Sequence, residues 1–230
     1  MIVYPEDVLA LKEIYWPHFT FADYQTEIVE SGLWNDETYV PAGNDLGKDF
    51  VCAFLAVSAF LACQLKAGMR DAKINSGWEP NDGMSAECGH PTCRIVTTSV
   101  AEHHLGILWG EIGRFLANSR LPLVAPAGGL IVNHMMIRRA GDNAEDPQQK
   151  LPLNMLKGQV SGKGEGLSGL HADFTLAIGD ECSGVEDIVY NMFQGWADHM
   201  VWIGNPNQCQ NFWRRNIKAG DLPYEARKIA

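Results

Sequence analysis

At 230 residues, with 46% hydrophobic and 20% charged residues, the chain has the composition of a globular unit and not of a disordered or fibrous one. Its formal net charge of −10 excludes a surface that coats nucleic acid by uniform positive charge and leaves room only for local basic loops. The opening MIVYPEDVLALKEIY carries early acids and no cleavage pattern, so no secretory leader is expected.

Residues 5–31 follow a helical pattern that Pro17 divides into two helices, with Gly32 as the expected stop of the second. The second helix carries Tyr24-Gln25. A glutamine just upstream of a nucleotide-binding strand can read an adenine edge, because its amide offers both a donor and an acceptor; a plain surface residue is the alternative. Residues 38–65 then give a β-branched strand, a glycine-bearing turn and a long apolar helix. The turn is Ala42-Gly43-Asn44-Asp45-Leu46-Gly47-Lys48-Asp49, close to the phosphate-binding pattern G-x-x-x-x-G-K-[ST]. Ala42 replaces its first glycine and Asp49 its final hydroxyl residue.

The chemistry of ATP explains that pattern. Phosphate oxygens need converging backbone N–H groups, which a helix N-terminus supplies together with a favourable dipole. Gly47 permits close approach of the main chain, and Lys48 adds a compact positive charge for the outer phosphates. Asp49 stands where a hydroxyl normally meets Mg²⁺; a carboxylate ligates the metal more strongly but adds negative charge beside the phosphates. A strand–turn–helix with an accidental Gly-Lys pair is the alternative reading of the loop alone.

The apolar run from Phe50 to Leu65 is shorter than the roughly 20 residues of a membrane span and is interrupted by Ser58 and Gln64, so a buried helix and no membrane partner are expected. Residues 66–92, rich in Gly, Asn, Asp and Pro, read as a loop or small insertion. Six cysteines occur: Cys52 and Cys63 suit a core, and a reducing compartment without a disulfide framework is expected. Cys88, His90 and Cys93 have a zinc-like spacing, but a closed zinc site needs four ligands, and only His103 and His104 follow; zinc is not expected.

Cys93–Ser99 reads as a strand, followed by a helix over 100–118 with Ser99 as its cap and Glu102 at the capping-box position. A Pro/Gly link over 121–128 precedes a strand expected over 129–139, a polar loop over 141–153 and a further strand over 154–160. The glycine-rich run Ser161–Gly169 reads as a flexible loop whose Lys163 is a candidate contact to DNA or nucleotide.

Phe174–Ile178 form an apolar strand that ends in Asp180-Glu181. Ligands of open α/β sheets collect at the carboxyl ends of strands, where the phosphate loop also opens. Asp180 suits Mg²⁺, and Glu181 suits orientation and deprotonation of an attacking water. A last strand, Met200–Ile203, ends in Gly204-Asn205-Pro206, where an amide can sense a γ-phosphate or simply make a turn. Strand and helix alternate, which predicts an α/β fold with a mainly parallel central sheet flanked by helices; with the Gly47-Lys48 loop and the Asp180-Glu181 strand end, it resembles a P-loop NTPase of the ASCE type.

Together these pieces resemble the N-terminal ATPase domain of the large terminase subunit of tailed bacteriophages. The residues that carry the resemblance are Gln25, Ala42–Asp49, Thr97-Thr98-Ser99, Glu165–Asp173, Asp180–Gly184 and Gly204-Asn205-Pro206. The resemblance implies Mg²⁺-dependent ATP hydrolysis coupled to translocation of double-stranded DNA into a procapsid. It implies a homo-oligomeric ring on a portal, a small terminase subunit as partner, and action in the cytoplasm of the infected bacterial host rather than in the mature virion. Gln25 would face adenine, Lys48 the phosphates, Asp180 the metal and Glu181 the water, with Asn205 coupling hydrolysis to movement. Family members often carry a loop arginine that this loop lacks; Arg114, Arg120, Arg138 and Arg139 are candidates to reach a neighbouring subunit's site instead. The C-terminal nuclease domain of the family is absent from these 230 residues, so one ATPase domain without cleavage activity is expected. DNA contacts are expected at Lys157, Lys163 or Arg214-Arg215. A helicase-like ATPase and a nucleotide-binding module that does not hydrolyse are the competing readings; the first would need a second motor domain.

Overall fold

The computed structural model describes residues 3–43, 46–75, 92–140, 151–162, 168–206 and 209–218, and side chains within these except those of 66–75 and 218. Two helices, α1 (Pro5–Tyr15) and α2 (Asp23–Trp34), lead into strand β1 (Glu37–Pro41) and the long helix α3 (Lys48–Asn75). Then come β2 (Cys93–Ser99), α4 (Glu102–Ala117), β3 (Leu130–Asn133), β4 (Met136–Arg139), β5 (Met155–Val160) and β6 (Phe174–Gly179). A single 3₁₀ turn (Cys182–Gly184), α5 (Asp187–Gln194), β7 (His199–Gly204) and α6 (Phe212–Lys218) complete the described elements.

The seven strands form one sheet in the order β1-β7-β6-β2-β5-β4-β3. The first five run parallel, and β4 and β3 add an antiparallel margin. β2 and β6 are buried along their whole length, as their unbroken apolar and hydroxyl-bearing sequences require of a sheet covered on both faces. Alternation along each strand divides the core. Val40, Ile95, Ile178 and Val201 face α2, α3 and α4, while Tyr39, Val96, Ala177 and Trp202 face α5 and α6. β7 lies between β1 and β6, so one strand separates the loop-bearing strand from the acidic one.

α3 is long and apolar enough to cross a membrane by composition, yet its apolar stretch Lys48–Leu65 is 78% buried inside the fold. Fully buried Ser58 disposes of its hydroxyl by donating to the Phe54 carbonyl at 2.5 Å. Beside it, Trp16, Phe19, Phe50, Phe54 and Phe115 pack with ring centroids 4.9–5.8 Å apart, mostly edge to face. This cluster ties α1 and the C-terminal turns of α4 to the first turns of α3.

Four expectations are corrected. Gly32 does not end α2, which continues to Trp34. A Cβ there would lie 2.7 Å from Val201 Cγ2, so the glycine serves close packing of α2 on β7. Residues 66–75 continue α3 rather than forming a loop. The expected strand over 129–139 is a hairpin, β3 and β4, reversing at His134-Met135, where Met135 takes φ 47°. Ser99 does not cap α4; its cap position is Ala101, and the Ser99 hydroxyl is buried without a hydrogen-bond partner among the described residues.

Phe115 is fully buried at the centre of the aromatic cluster and also accepts, through its carbonyl, the Trp16 indole N–H at 2.7 Å. Phe115→Ala is expected to lower stability by about 3–5 kcal/mol. Urea unfolding checks this; a loss under about 1 kcal/mol would show that the cluster does not hold α4 to α3.

Candidate active site

Lys48 opens α3, and its ammonium donates a hydrogen bond to the Glu181 carboxylate and lies 3.8 Å from Asp180 Oδ1. The topology explains this reach. Adjacent strands stand about 4.8 Å apart, so the ends of β1 and β6 are roughly 10 Å apart across β7, a span that a lysine stem bridges. The backbone N–H of Asp180 donates to the Thr98 carbonyl at 2.9 Å, which extends the β6–β2 ladder one residue and fixes Asp180 at the rim. Glu181 then adopts a left-handed conformation, φ 53° and ψ 45°, which costs a residue with a Cβ about 1–2 kcal/mol. That turn brings its carboxylate to Lys48. Gly204 allows it: a Cβ there would lie 2.7 Å from the Cys182 nitrogen, so the end of β7 sits directly against the acidic turn.

The described part of the phosphate loop is Ala42, Gly43, Leu46, Gly47, Lys48 and Asp49; Asn44 and Asp45 lie outside the described residues. Gly47 takes φ 66°, and a Cβ there would be 2.9 Å from Gln25 Nε2. Gln25 is buried, and its Oε1 accepts the Ala22 N–H at 3.1 Å, so it closes the first turn of its own helix while its amide nitrogen abuts the loop. Tyr24 donates its hydroxyl to the Leu46 carbonyl. α2 thus grips the loop through two consecutive residues. Between them a cleft of about 240 Å³, lined by Tyr24, Ile28, Val40, Ala42, Leu46, Lys48 and Ile203, opens beside the lysine. It is smaller than the roughly 300–1,000 Å³ of pockets that engulf a ligand.

Asp49, Asp180 and Glu181 surround the one ammonium. Burial raises the Asp180 pKa to about 7, with Asp49 adding to the rise and Lys48 opposing it. Burial likewise pushes Asp49 up against the pull of Lys48. Lys48 itself is drawn down by burial, but Glu181, Asp180 and Asp49 outweigh this and its pKa is raised. The excess of carboxylates suits a divalent cation, and Asp180 Oδ1 is buried without a hydrogen-bond partner among the described residues. No set of three or more His, Cys, Asp or Glu gathers for a metal among the described residues. The oxygen donors of Asp180 and Asp49 are of the kind that a hard divalent cation takes.

Asn205 follows β7, half-buried, and its carbonyl accepts the Trp213 indole N–H at 3.1 Å. Thr97, Thr98 and Ser99 are buried; Thr97 accepts the Trp109 indole N–H at 3.0 Å, and Thr98 donates to the Gln159 carbonyl at 2.8 Å. Among the candidate arginines, Arg114 is the one whose surroundings reach the site. It pairs with Glu111 at 3.2 Å and lies over Phe19 and Phe50, 5.4 and 5.9 Å from the ring centroids, while Glu111 is one of the charges acting on Asp49. Arg120 follows α4, and Arg138 and Arg139 lie on β4, on the far side of β2 from Lys48. The described part of the 165–173 run leads into the opposite end of β6, where Asp173 accepts the Thr92 N–H at 2.7 Å. Lys157 is half-buried on β5, and burial lowers its pKa. Arg215 pairs with Asp187 at 2.8 Å. Lys163, Cys88 and His90 lie outside the described residues, and Cys93 is buried against Cys63, its thiol pushed up by burial.

No family profile matches the sequence, and no curated protein matches it. Solved structures do. The ATPase domain of the large terminase of Thermus phage P74-26, in a mutant form, aligns over 92% of this chain and 73% of its own at 12% identity, with a TM-score of 0.53. In fold, this chain is similar to the ATPase domain of a phage large terminase. The large terminase of bacteriophage HK97 also aligns, over 88% of this chain at 14% identity, with a TM-score of 0.48. The chain spans 38% of the length of that HK97 protein.

The raised pKa of Asp180 has a signed consequence. Between its ordinary 3.8 and about 7, the folded chain retains a proton that the unfolded chain has released. Stability conferred by the protonated form is therefore lost as pH rises through that window and changes no further above it. Asp180→Asn is expected to be more stable than wild type by roughly 1–3 kcal/mol at pH 8 and by little at pH 4. Urea unfolding at both pH values, without divalent cations, checks this; an equal difference at the two would contradict it.

Proposed function

We propose that the chain is a Mg²⁺-dependent ATPase domain of a viral DNA-packaging motor. The observation that carries this reading is the meeting of Lys48, from the loop after β1, with Asp180 and Glu181, from the end of β6, at one rim of a parallel sheet. The likeness in fold to a terminase ATPase domain supports the same conclusion.

In this reading the loop N–H groups around Gly47 and the start of α3 receive the phosphates, and Lys48 exchanges its bond to Glu181 for phosphate oxygens. Asp180 and Asp49 would hold the metal, which when bound would supply charge neutralisation for the phosphates. Released from Lys48, Glu181 orients a water and takes its proton. The Lys48–Glu181 pair thus keeps base and cation together until nucleotide arrives. The Tyr24 and Leu46 side of the cleft receives the base, with Gln25 at its edge. Asn205 senses the terminal phosphate. Coupling to double-stranded DNA, assembly as a ring on a portal with a small terminase subunit, and action in the host cytoplasm belong to the same proposal.

Lys48→Ala is expected to abolish binding of Mg-ATP and turnover together. Glu181→Gln is expected to keep binding and lose turnover by about 10²–10⁴-fold. Calorimetric binding of a non-hydrolysable ATP analogue and a phosphate-release assay separate the two; binding without turnover in the wild type, alone and with DNA, would favour a nucleotide-binding module.

Asp49→Ser removes a negative charge beside the phosphates. It is expected to tighten Mg-nucleotide binding while turnover still requires Mg²⁺. Unchanged affinity would remove Asp49 from the site.

Arginine supplied by a neighbouring subunit makes turnover depend on assembly. Specific activity is therefore expected to rise with protein concentration, and to fall with Arg114→Ala if that residue is the one supplied. A specific activity constant over a wide concentration range would exclude a shared arginine.

A further inference from the structure

We propose that Asn211 is a positioning residue for Glu181, acting through the backbone of the turn that follows it. Asn211 stands just before α6. Its Nδ2 donates to the Cys182 carbonyl at 2.9 Å and the Val185 carbonyl at 2.6 Å, with the Ser183 carbonyl at 3.3 Å. Three carbonyl oxygens facing one end of the amide fix the donating nitrogen there. These carbonyls belong to a three-residue 3₁₀ turn and the residue that caps it, where, among the described residues, only the Cys182 carbonyl accepts a further backbone bond, from the Val185 N–H.

The turn is where support is needed. Glu181 holds a left-handed conformation that a residue with a Cβ adopts only when its surroundings impose it. Ahead of it, Asp180 is locked to β2 through the Thr98 carbonyl. Behind it, the turn is tied by Gly184 N–H to the Glu181 carbonyl at 3.0 Å and by Val185 N–H to the Cys182 carbonyl at 3.2 Å. Asn211 holds the same peptides from outside. Without its donors the turn keeps only its own two backbone bonds, and Glu181 is free to relax to a right-handed or extended conformation that carries its carboxylate away from Lys48.

Asn211 is itself fixed. The next residue, Phe212, donates its N–H to Asp187 Oδ1 at 2.5 Å, and Arg215 donates to Oδ2 of the same aspartate at 2.8 Å. Trp213 donates to the Asn205 carbonyl, and Asn216 donates to the Tyr39 hydroxyl on β1. One segment, 211–216, therefore touches the acidic turn, the Asn205 turn and the loop-bearing strand, and a shift at Asn205 is transmitted to the base through Asn211.

The catalytic part of this inference rests on Glu181 being the base of the proposed ATPase. Two variants of the full chain test it. Asn211→Ala removes the amide; Asn211→Asp keeps its shape but sets an acceptor against three acceptors. Both are expected to lower kcat on the order of 10- to 100-fold, with the dissociation constant for Mg²⁺ and a non-hydrolysable ATP analogue within about 3-fold of wild type. Amide hydrogen exchange at Gly184 and Val185 is expected to speed up in both variants. A purely structural role would move binding and kcat together, and that outcome overturns the proposal, as does wild-type turnover in Asn211→Asp or unchanged exchange in the turn. If the wild type itself shows no turnover, the proposed function fails, and the exchange measurement alone decides whether Asn211 clamps the turn.

Discussion

The site depends on one ion pair formed across an intervening strand. Lys48 and the carboxylates of Asp180 and Glu181 are more than 130 positions apart in sequence, and the parallel order β1-β7-β6 places them a side-chain length from one another. Much of the remaining structure serves that spacing. β7 must be thin at its end, which Gly204 provides, or the acidic turn could not lie against it. α3 must begin where β1 stops, and its aromatic neighbours Phe19, in the link after α1, and Phe115, on α4, hold that first turn in place. Burial, with the neighbouring charges of Asp49 and Glu181 added, raises the pKa of Asp180 at this rim, where three carboxylates share one ammonium. A site that is uncomfortable alone is suited to a ligand bringing compensating cations.

Much of this was legible in the sequence because the patterns are local. The strand–turn–helix at Gly47-Lys48, the apolar strand ending in Asp180-Glu181 and the Gly204-Asn205-Pro206 turn are short contiguous patterns, each at the end of a parallel strand. The β-branched run Cys93–Ser99 and the apolar helix after Lys48 announced themselves by periodicity in the same way.

Other features were illegible because tertiary contacts decide them. Gly32 reads as a helix stop, but its missing Cβ makes room for Val201 and Leu55. The residues 129–139 carry no Gly or Pro at the point of reversal, so the hairpin at Met135 left no signal. Ser99 looked like a cap because nothing in its neighbourhood shows that its strand ends buried. Gln25 suggested a nucleotide contact, and its additional bond to the Ala22 N–H depends on the register of α2 against the loop. Asn211 offers no local pattern at all; its partners are carbonyls, which sequence does not distinguish.

The bond from the Trp213 indole to the Asn205 carbonyl has a practical side. Indole emission responds to the polarity and hydrogen bonding around its nitrogen, and this ring is fully buried on the flank of the acidic turn. Any rearrangement of the strand end after β7 alters the electronic surroundings of that chromophore. This ring, one of seven tryptophans, is therefore a built-in optical gauge of the geometry at that strand end, placed where an attached dye would disturb the packing.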